Sequence, residues 1–150
     1  MDYSFEEMSD SHRQAVIDIL NYFIRQSYAA YPEESVDYHF FDRFLEMSRG
    51  YPALVIKAGD HQVVGFGFMR PHHFADSFKR TAEVSYFITP GKREAGQRGI
   101  DSLIANISSR NQESIRFRLK NGFQECGRFL RVGRKFGEDV HVVWMQKHLA

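Results

Sequence analysis

The order of hydrophobic and polar residues predicts a strand and two helices in the first third of the chain. Residues 3–8 have the pattern of a short strand. Ser9 and Asp10 are good helix caps, and the apolar residues after them share the spacing of an amphipathic helix. These residues are Val16, Ile19, Leu20, Phe23 and Ile24. A second helix is predicted from Ser35, and its buried stripe is formed by Phe40, Phe41, Phe44 and Leu45.

The next third of the chain has the pattern of β-strands. Residues 53–57 and 62–69 are rich in strand-forming side chains and are separated by a glycine–aspartate pair, which indicates a hairpin. In the second run, Gly65 and Gly67 alternate with phenylalanines. This alternation predicts a strand face that is kept bare because another backbone or a ligand comes close.

The remaining pattern predicts a polar loop, four strands and a helix. The loop covers residues 70–80, and the strands cover residues 82–89, 102–107, 123–130 and 140–146. Asn111 is a good cap for the helix, and Gly122 closes it. No repeat or linker divides the chain. We therefore expect a single domain over residues 1–150, with an α/β fold of the α+β type in which helices cover a mixed sheet.

The composition narrows the class of protein. The chain is 43% hydrophobic and 26% charged with four prolines, which is typical of a globular protein. No apolar run is long enough to span a membrane, and the acidic N-terminal residues do not resemble a secretory signal. The lone Cys126 excludes a disulfide framework and a multi-cysteine zinc site. We expect a cytoplasmic protein without a membrane partner.

The net charge of +1 conceals an uneven distribution. Residues 1–50 hold ten acids and four bases, whereas residues 110–136 hold eight bases against Glu113 and Glu125. A basic stretch suggests a phosphate-bearing partner, either a nucleotide cofactor or a nucleic acid. The alternative is a solvated helix face with basic flanks.

Several stretches of the sequence, taken together and in order, resemble one enzyme family. They are ILNYFIRQSYAAYPEE, RGYPALVIKAGDHQVVGF, FKRTAEVSYFITP, ISSRNQESIRFRLKNGF and VGRKFG followed by VVWMQ. The chain resembles the GNAT superfamily of N-acetyltransferases, and within it the phosphinothricin acetyltransferase branch. The resemblance implies the GNAT acyl-CoA N-acyltransferase fold, with a largely antiparallel central sheet. It also implies acetyl-CoA as co-substrate, the primary amine of a small molecule (amino-acid analogues included) as acceptor, and a homodimer.

The resemblance points to Glu83 as the catalytic base. On the predicted strand, Glu83, Ser85 and Phe87 share one face. In the family, a glutamate at this place in the fourth strand accepts the proton of the amine, directly or through water. From the residues alone, an ordinary solvent-facing strand glutamate is the alternative.

The resemblance also implies a set of cofactor-binding residues. The backbones of Tyr86, Phe87 and Ile88 would bind the pantetheine arm and the thioester carbonyl. Asn111 would bind the pantetheine arm as well as cap its helix, and Lys120 would make a further CoA contact unless it is a solvated helix lysine. A tyrosine or histidine of the family often protonates the leaving thiolate, and Arg118 stands in its place. A guanidinium does not readily release a proton, so the sequence identifies no general acid.

The predicted acceptor-binding stretch lies just before Glu83. By resemblance it consists of Asp76, Ser77, Phe78 and Lys79, and the cation of Lys79 suits the carboxylate of an amino-acid-like substrate. His72 and His73 stand where the family has further arginines. They lack a supporting carboxylate or cysteine at ligand spacing, so we expect no metal site.

Residues 90–101 form a shortened segment. The family has a pyrophosphate loop here, with the pattern Gln/Arg-x-x-Gly-x-Gly/Ala, and the chain offers only Arg93-x-x-Gly96-x-Arg98. Residues 92–98 fit better as the tail of a crossover helix that Gly99 caps. A crossover between parallel strands needs about a dozen residues, and this segment supplies only that minimum.

Two other functions compete with the enzyme. The first is a catalytically impaired GNAT-like domain that binds a ligand or a partner, which the shortened segment and Arg118 favour. The second is a nucleic-acid-binding module built on the basic stretch and its interleaved Phe117, Phe123, Phe129 and Phe136. That module needs exposed rings, and the spacing of these phenylalanines favours core positions instead, so we expect no nucleic-acid partner.

Overall fold

Seven strands of the described residues form one mixed sheet. The computed structural model describes residues 3–89 and 102–149. The strands are β1 Tyr3–Glu7, β2 Ala53–Ala58, β3 Val63–Pro71, β4 Thr81–Ile88, β5 Ser102–Ser108, β6 Gln124–Lys135 and β7 Glu138–His148. Their order in the sheet is β1-β2-β3-β4-β5-β7-β6. The pairs are antiparallel except β4 with β5, which confirms the mixed, largely antiparallel sheet.

The expectations for residues 90–101 lie outside the described residues. They include the loop pattern at Arg93 and Gly96, the helix tail over residues 92–98 and its cap at Gly99.

Helices cover both faces of the sheet. They are α1 Arg13–Gln26, α2 Phe41–Met47 and α3 Gln112–Lys120. Helices α1 and α2 pack on one face, where Ile17, Phe41 and Phe66 are fully buried in the same cluster. Helix α3 packs on the other face, where Ile115 lies in a separate cluster with Leu103. The central strands therefore present one set of side chains to α1 and α2 and the alternate set to the face that carries α3. No helix within residues 3–89 or 102–149 is long and apolar enough to cross a membrane.

The second helix begins later than its sequence pattern predicts. The predicted helix start at Ser35 is wrong. A single 3₁₀ turn covers Tyr38–Phe40, and α2 begins at Phe41. The cause is the side chain of Asn21 on α1. Its amide donates to the carbonyl of Val36 and its oxygen accepts from the Val36 N–H, both at 2.9 Å. These bonds engage backbone groups that a helix would need, so Val36 stays outside it.

The predicted bare face of β3 is present, and strand β4 packs closely against its two glycines. A Cβ added to Gly65 would lie 3.1 Å from the Cα of Ile88, and one added to Gly67 would lie 3.2 Å from the Cβ of Tyr86. Both distances are tighter than ordinary van der Waals contact. The two glycines therefore let β4 approach β3 closely at the residues that follow Glu83.

Strand β6 is longer and more exposed than predicted. It runs to Lys135 and forms an edge of the sheet, and its pairing with β7 shifts between Phe129 and Gly133. The expected core position is correct for Phe123, which is 9% exposed, and wrong for Phe129 and Phe136, which are 56% and 48% exposed. An edge strand can leave such side chains open because no further strand covers them.

The ammonium of Lys135 ties the β6–β7 hairpin to the end of α1. Its Nζ donates to the carbonyls of Ile24 and Ser27 at 2.9 Å each and to that of Ala30 at 2.5 Å. Burial lowers the pKa of Lys135, and nearby Glu33 opposes that effect. The three accepting carbonyls satisfy all three protons of the ammonium, which fixes the segment that follows α1.

We predict that Lys135→Met destabilises the protein by about 2–4 kcal/mol, because three buried carbonyls lose their donor. Chemical unfolding monitored by circular dichroism measures this loss. The matched control is Lys57→Met. Lys57 donates to Glu6 in an ion pair whose carboxylate is open to solvent, so its removal costs little stability. Equal losses in the two variants would contradict an anchoring role for Lys135.

Candidate active site

Glu83 lies where the parallel ladder between β4 and β5 ends. The two strands pair at Thr81 with Ser102, Ala82 with Leu103 and Glu83 with Ile104. Both strands then continue, β4 to Ile88 and β5 to Ser108, but their described residues do not pair with each other. We call the unpaired region between the two strands the cleft, and Glu83 stands at its closed end, where the pairing stops.

Two side chains hold the Glu83 carboxylate, the guanidinium of Arg70 and the imidazole of His72. Arg70, its cross-strand partner on β3, donates to Oε2 from Nε at 3.0 Å and from Nη2 at 2.6 Å. The Nδ1 of His72 lies 3.1 Å from Oε1. The Glu83 side chain is 12% exposed, against 37% for Arg70 and 34% for His72. Both carboxylate oxygens are thus engaged in a partly buried cluster that opens to solvent through Arg70 and His72.

The side chains beyond Glu83 alternate between the two faces of the sheet. Phe87 points to the side of α1, where its ring lies 5.5 Å from that of Phe23 and 5.4 Å from that of Phe66. Val84, Tyr86 and Ile88 point to the other side and line a cavity of about 330 Å³. Strand β4 therefore carries the acidic group on one face and the wall of an apolar cavity on the other.

The side chains that line the cavity include the cation of Arg118 and the hydroxyl of Tyr86. The guanidinium of Arg118 lies 4.4 Å from the ring centre of Tyr86 and 5.6 Å from that of Phe123, and the residue is only 5% exposed. The Tyr86 hydroxyl is buried and has no hydrogen-bond partner within residues 3–89 and 102–149. Arg118, which stands where the family often has a general acid, thus faces the aromatic ring of Tyr86, a predicted cofactor-binding residue.

Helix α3 presents the two other predicted cofactor contacts. The Oδ1 of Asn111 accepts from the N–H of Ser114 at 3.2 Å, which confirms Asn111 as the cap. Its Nδ2 makes no hydrogen bond within the described part of the chain and remains able to donate. Gly122 follows the helix with φ +83°, which confirms the predicted stop. Lys120 is exposed in the last turn.

The predicted acceptor-binding stretch reaches Glu83 through His72. Residues 76–78 form a 3₁₀ turn, and the ring of Phe78 lies edge-on to that of His72, with 5.9 Å between their centres. Asp76, Ser77 and Lys79 are exposed on the same turn or directly after it. The structure therefore brings Phe78 to the Glu83 cluster, while the other three side chains face solvent.

A tyrosine from the segment after α1 reaches across to β5. The hydroxyl of Tyr31 donates to Oδ1 of Asn106 at 3.2 Å. Asn106 lies on β5 two residues beyond the last pair with β4, so this bond closes one side of the cleft. Although the Tyr31 side chain is 45% exposed, burial around it raises the pKa of Tyr31 to about 12.

Sequence reasoning missed Arg70, Tyr31 and the contact of His72 with Glu83. Arg70 and Glu83 are thirteen residues apart in the chain and meet only through the β3–β4 register. Extending a hairpin register from the predicted strands could have found this pair. The Tyr31 bond spans 75 residues and leaves no signal in the sequence. Among the described residues, no group of three or more His, Cys, Asp or Glu side chains is arranged to hold a metal ion.

Comparison with known proteins gives relatives over most of the chain. No protein-family model matches the sequence. A phosphinothricin N-acetyltransferase from Streptomyces coelicolor is 28% identical, over 61% of this chain and 62% of its own length. The chain thus spans about three fifths of that relative. The L-amino acid N-acyltransferase MnaT of Escherichia coli is 26% identical, over 90% of this chain and 87% of its own.

Solved structures share the fold over almost the whole chain. A ribosomal-protein-alanine N-acetyltransferase from Brucella melitensis superimposes with a TM-score of 0.84 and 28% identity, covering 97% of this chain and 99% of its own. A GNAT superfamily phosphinothricin acetyltransferase from Sinorhizobium meliloti, solved in complex with AcCoA, gives a TM-score of 0.88 at 20% identity. It covers 100% of this chain and 90% of its own.

The raised pKa of Tyr31 gives a prediction for stability at alkaline pH. A tyrosine in the unfolded chain ionises at about pH 10, whereas folded Tyr31 ionises at about 12. Tyr31 thus contributes stability that is complete below about pH 10 and is lost as the pH rises to about 12. Tyr31→Phe lacks this contribution. We expect the difference in urea midpoint between the wild type and the variant to shrink over this range, and a constant difference would contradict the assignment.

Proposed function

We propose that this chain is a member of the GNAT superfamily of N-acetyltransferases, in its phosphinothricin acetyltransferase-like branch, and that it transfers an acetyl group from acetyl-CoA to the primary amine of a small molecule. The reaction joins the amine nitrogen to the thioester carbonyl carbon and releases the CoA thiol. Such an enzyme must remove a proton from the ammonium and stabilise the oxyanion that develops on the carbonyl.

The observation that carries this proposal is the position of Glu83 at the closed end of the cleft. Beyond Glu83, β4 keeps its pairing with β3 but makes none with the described residues of β5. Its backbone groups on that edge are free to hydrogen-bond an extended arm inserted between the strands. We assign the contact with the pantetheine arm and the thioester carbonyl to the backbones of Tyr86, Phe87 and Ile88.

Other residues of the cleft fit the same co-substrate. The Nδ2 of Asn111, which bonds to none of the described residues, is a donor for an amide carbonyl of the pantetheine arm. The Tyr86 hydroxyl, which also has no hydrogen-bond partner among the described residues, lines the cavity together with the Arg118 cation. Lys120 is exposed at the end of α3 and would contact an outer part of CoA.

The acceptor would lie on the other face of the sheet, with Glu83. We propose an amino-acid-like amine as acceptor, since one relative is named an L-amino acid N-acyltransferase. Asp76, Ser77, Phe78 and Lys79 would bind it, with the Lys79 ammonium paired to a substrate carboxylate. Arg70 stabilises the negative charge of Glu83, so that the partly buried carboxylate is ready to take part in proton removal.

We predict that Glu83→Gln lowers kcat by about 100-fold or more, because general base catalysis is typically worth 10²–10⁴-fold. Calorimetric titration with acetyl-CoA, followed by a screen of amino acids, amino-acid analogues and a peptide with an N-terminal alanine, measures binding and turnover separately. The variant should bind acetyl-CoA as tightly as the wild type, since the cofactor contacts involve other groups. The matched control is Glu7→Gln on β1, which should leave both quantities unchanged.

The binding measurement also tests the competing functions. No binding of acetyl-CoA up to millimolar concentration would overturn the enzyme and favour a ligand- or partner-binding domain. A salt-sensitive shift with RNA or DNA would favour the nucleic-acid module built on the basic stretch.

We further propose that the chain forms a homodimer through β6 and acts in the cytoplasm. Leu130 and Val132 are 68% and 57% exposed where β6 bulges away from β7, and Phe129 is exposed beside them. A contiguous apolar surface on an edge strand is a typical protein–protein contact. The cytoplasm is where acetyl-CoA and a reduced Cys126 are both expected.

We predict that Leu130→Glu converts the dimer to a monomer, because it places a charge inside the apolar contact. Size-exclusion chromatography with light scattering measures the mass. Leu119→Glu is the matched control, since Leu119 is a similarly exposed leucine, at 52%, that belongs to α3 and not to β6. A monomeric wild type, or dissociation by both variants alike, would contradict this interface.

A further inference from the structure

Both oxygens of the Glu83 carboxylate already have hydrogen-bond donors, which restricts how an amine could pass its proton to this group. Arg70 donates twice to Oε2, and His72 occupies Oε1. Arg70 and His72 thus place three donor groups on the two carboxylate oxygens, and two of these donors lie on Oε2. A carboxylate oxygen has two lone pairs, so Oε2 is fully occupied, and an incoming amine would have to share Oε1 with His72.

The same contacts leave a second base with an open lone pair. An ionised carboxylate can only accept hydrogen bonds, so the Nδ1 of His72 must donate to Oε1. In the neutral imidazole, the lone pair then lies on Nε2. The side chain is 34% exposed, and its Nε2 makes no hydrogen bond to any of residues 3–89 and 102–149. Phe78, from the proposed acceptor-binding stretch, packs edge-on against the same ring.

We propose that His72 is the group that accepts the proton of the amine, through Nε2, while Glu83 orients its ring and stabilises the imidazolium that forms. This inference rests on the proposed acetyltransferase function and adds a residue to it. Imidazole is the side chain whose charge changes near neutral pH, which suits a group that must take a proton and release it again.

The proposed step moves two protons and one acetyl group. One proton of the substrate ammonium passes to Nε2 of His72 and then to solvent. The freed nitrogen lone pair forms the bond to the carbonyl carbon of the thioester. The C–S bond breaks with its electron pair going to sulfur, and the second amine proton ends on that sulfur as the CoA thiol. The products are the acetylated amine, the thiol and the proton released through His72.

The first test is kinetic. His72→Gln keeps a donor for Glu83 and removes the basic nitrogen. We expect kcat to fall by about 100-fold or more while the KM for acetyl-CoA stays within about twofold. The control is His61→Gln, the same substitution in the turn at the opposite end of β3, away from the Glu83 cluster. Circular dichroism checks that both variants are folded.

A double-mutant cycle separates a pair from two independent residues. If His72 and Glu83 act as one unit, His72→Gln combined with Glu83→Gln is no slower than the slower single variant, because the second change has nothing left to remove. Multiplied effects would overturn the pairing. Added imidazole should also restore part of the turnover of His72→Ala, a rescue that a merely structural role would not produce.

A spectroscopic measurement reads the geometry without turnover. Long-range ¹H–¹⁵N NMR at about pH 8.5, above the ordinary histidine range, should find the proton of His72 on Nδ1 and none on Nε2. The opposite tautomer would overturn the proposal. If the wild type acetylates amines and His72→Gln equals His61→Gln in kcat, this inference alone fails. If the wild type transfers no acetyl group to any amine, the proposed function fails and this inference fails with it.

Discussion

The parallel pairing of β4 with β5 ends at Glu83 and Ile104, and the geometry of the site depends on that ending. A continuous ladder would satisfy the backbone of β4 on both edges and leave no room between the strands. Because pairing with the described part of β5 stops after three residue pairs, the edge of β4 beyond Glu83 has donors and acceptors to offer. The same ending places Glu83 at the junction, so that the carboxylate and the open backbone are neighbours along one strand.

The alternation of side chains on β4 separates the two halves of the site. Glu83 and Phe87 point to the face covered by α1, while Tyr86 points to the cavity beside α3. Close contact with β3 helps to fix this arrangement, because Gly65 and Gly67 leave no side chain between the strands. In the proposed reaction, the donor and the acceptor approach from opposite faces and meet where the pairing of β4 with β5 ends, without competing for one pocket.

The local parts of this structure could be predicted from the sequence, and the long-range contacts could not. The cap at Asn111, the stop at Gly122 and the bare face at Gly65 follow from the chemistry of single residues. The start of α2 could not be predicted, because it depends on a hydrogen bond from Asn21, fifteen residues away. The exposure of Phe129 depends on the place of β6 at the sheet edge, which spacing does not reveal.

The contacts around Glu83 show the same division. Its place on the strand and its face follow from period-two alternation, whereas its partners depend on the register between two strands. The bonds from Arg70 and His72 turn a single candidate base into a cluster with two titratable members.

The buried Lys135 has a consequence for the chemistry of the protein's own amines. The carbonyl carbon of an acyl donor is attacked by a neutral amine with a free lone pair. The ammonium of Lys135 gives all three protons to carbonyl oxygens and is 2% exposed, so it offers neither a lone pair nor access. With a reactive thioester bound as proposed, the amine on which the hairpin depends would stay inert toward self-modification, while Lys79 and Lys120, which are exposed, would be open to it.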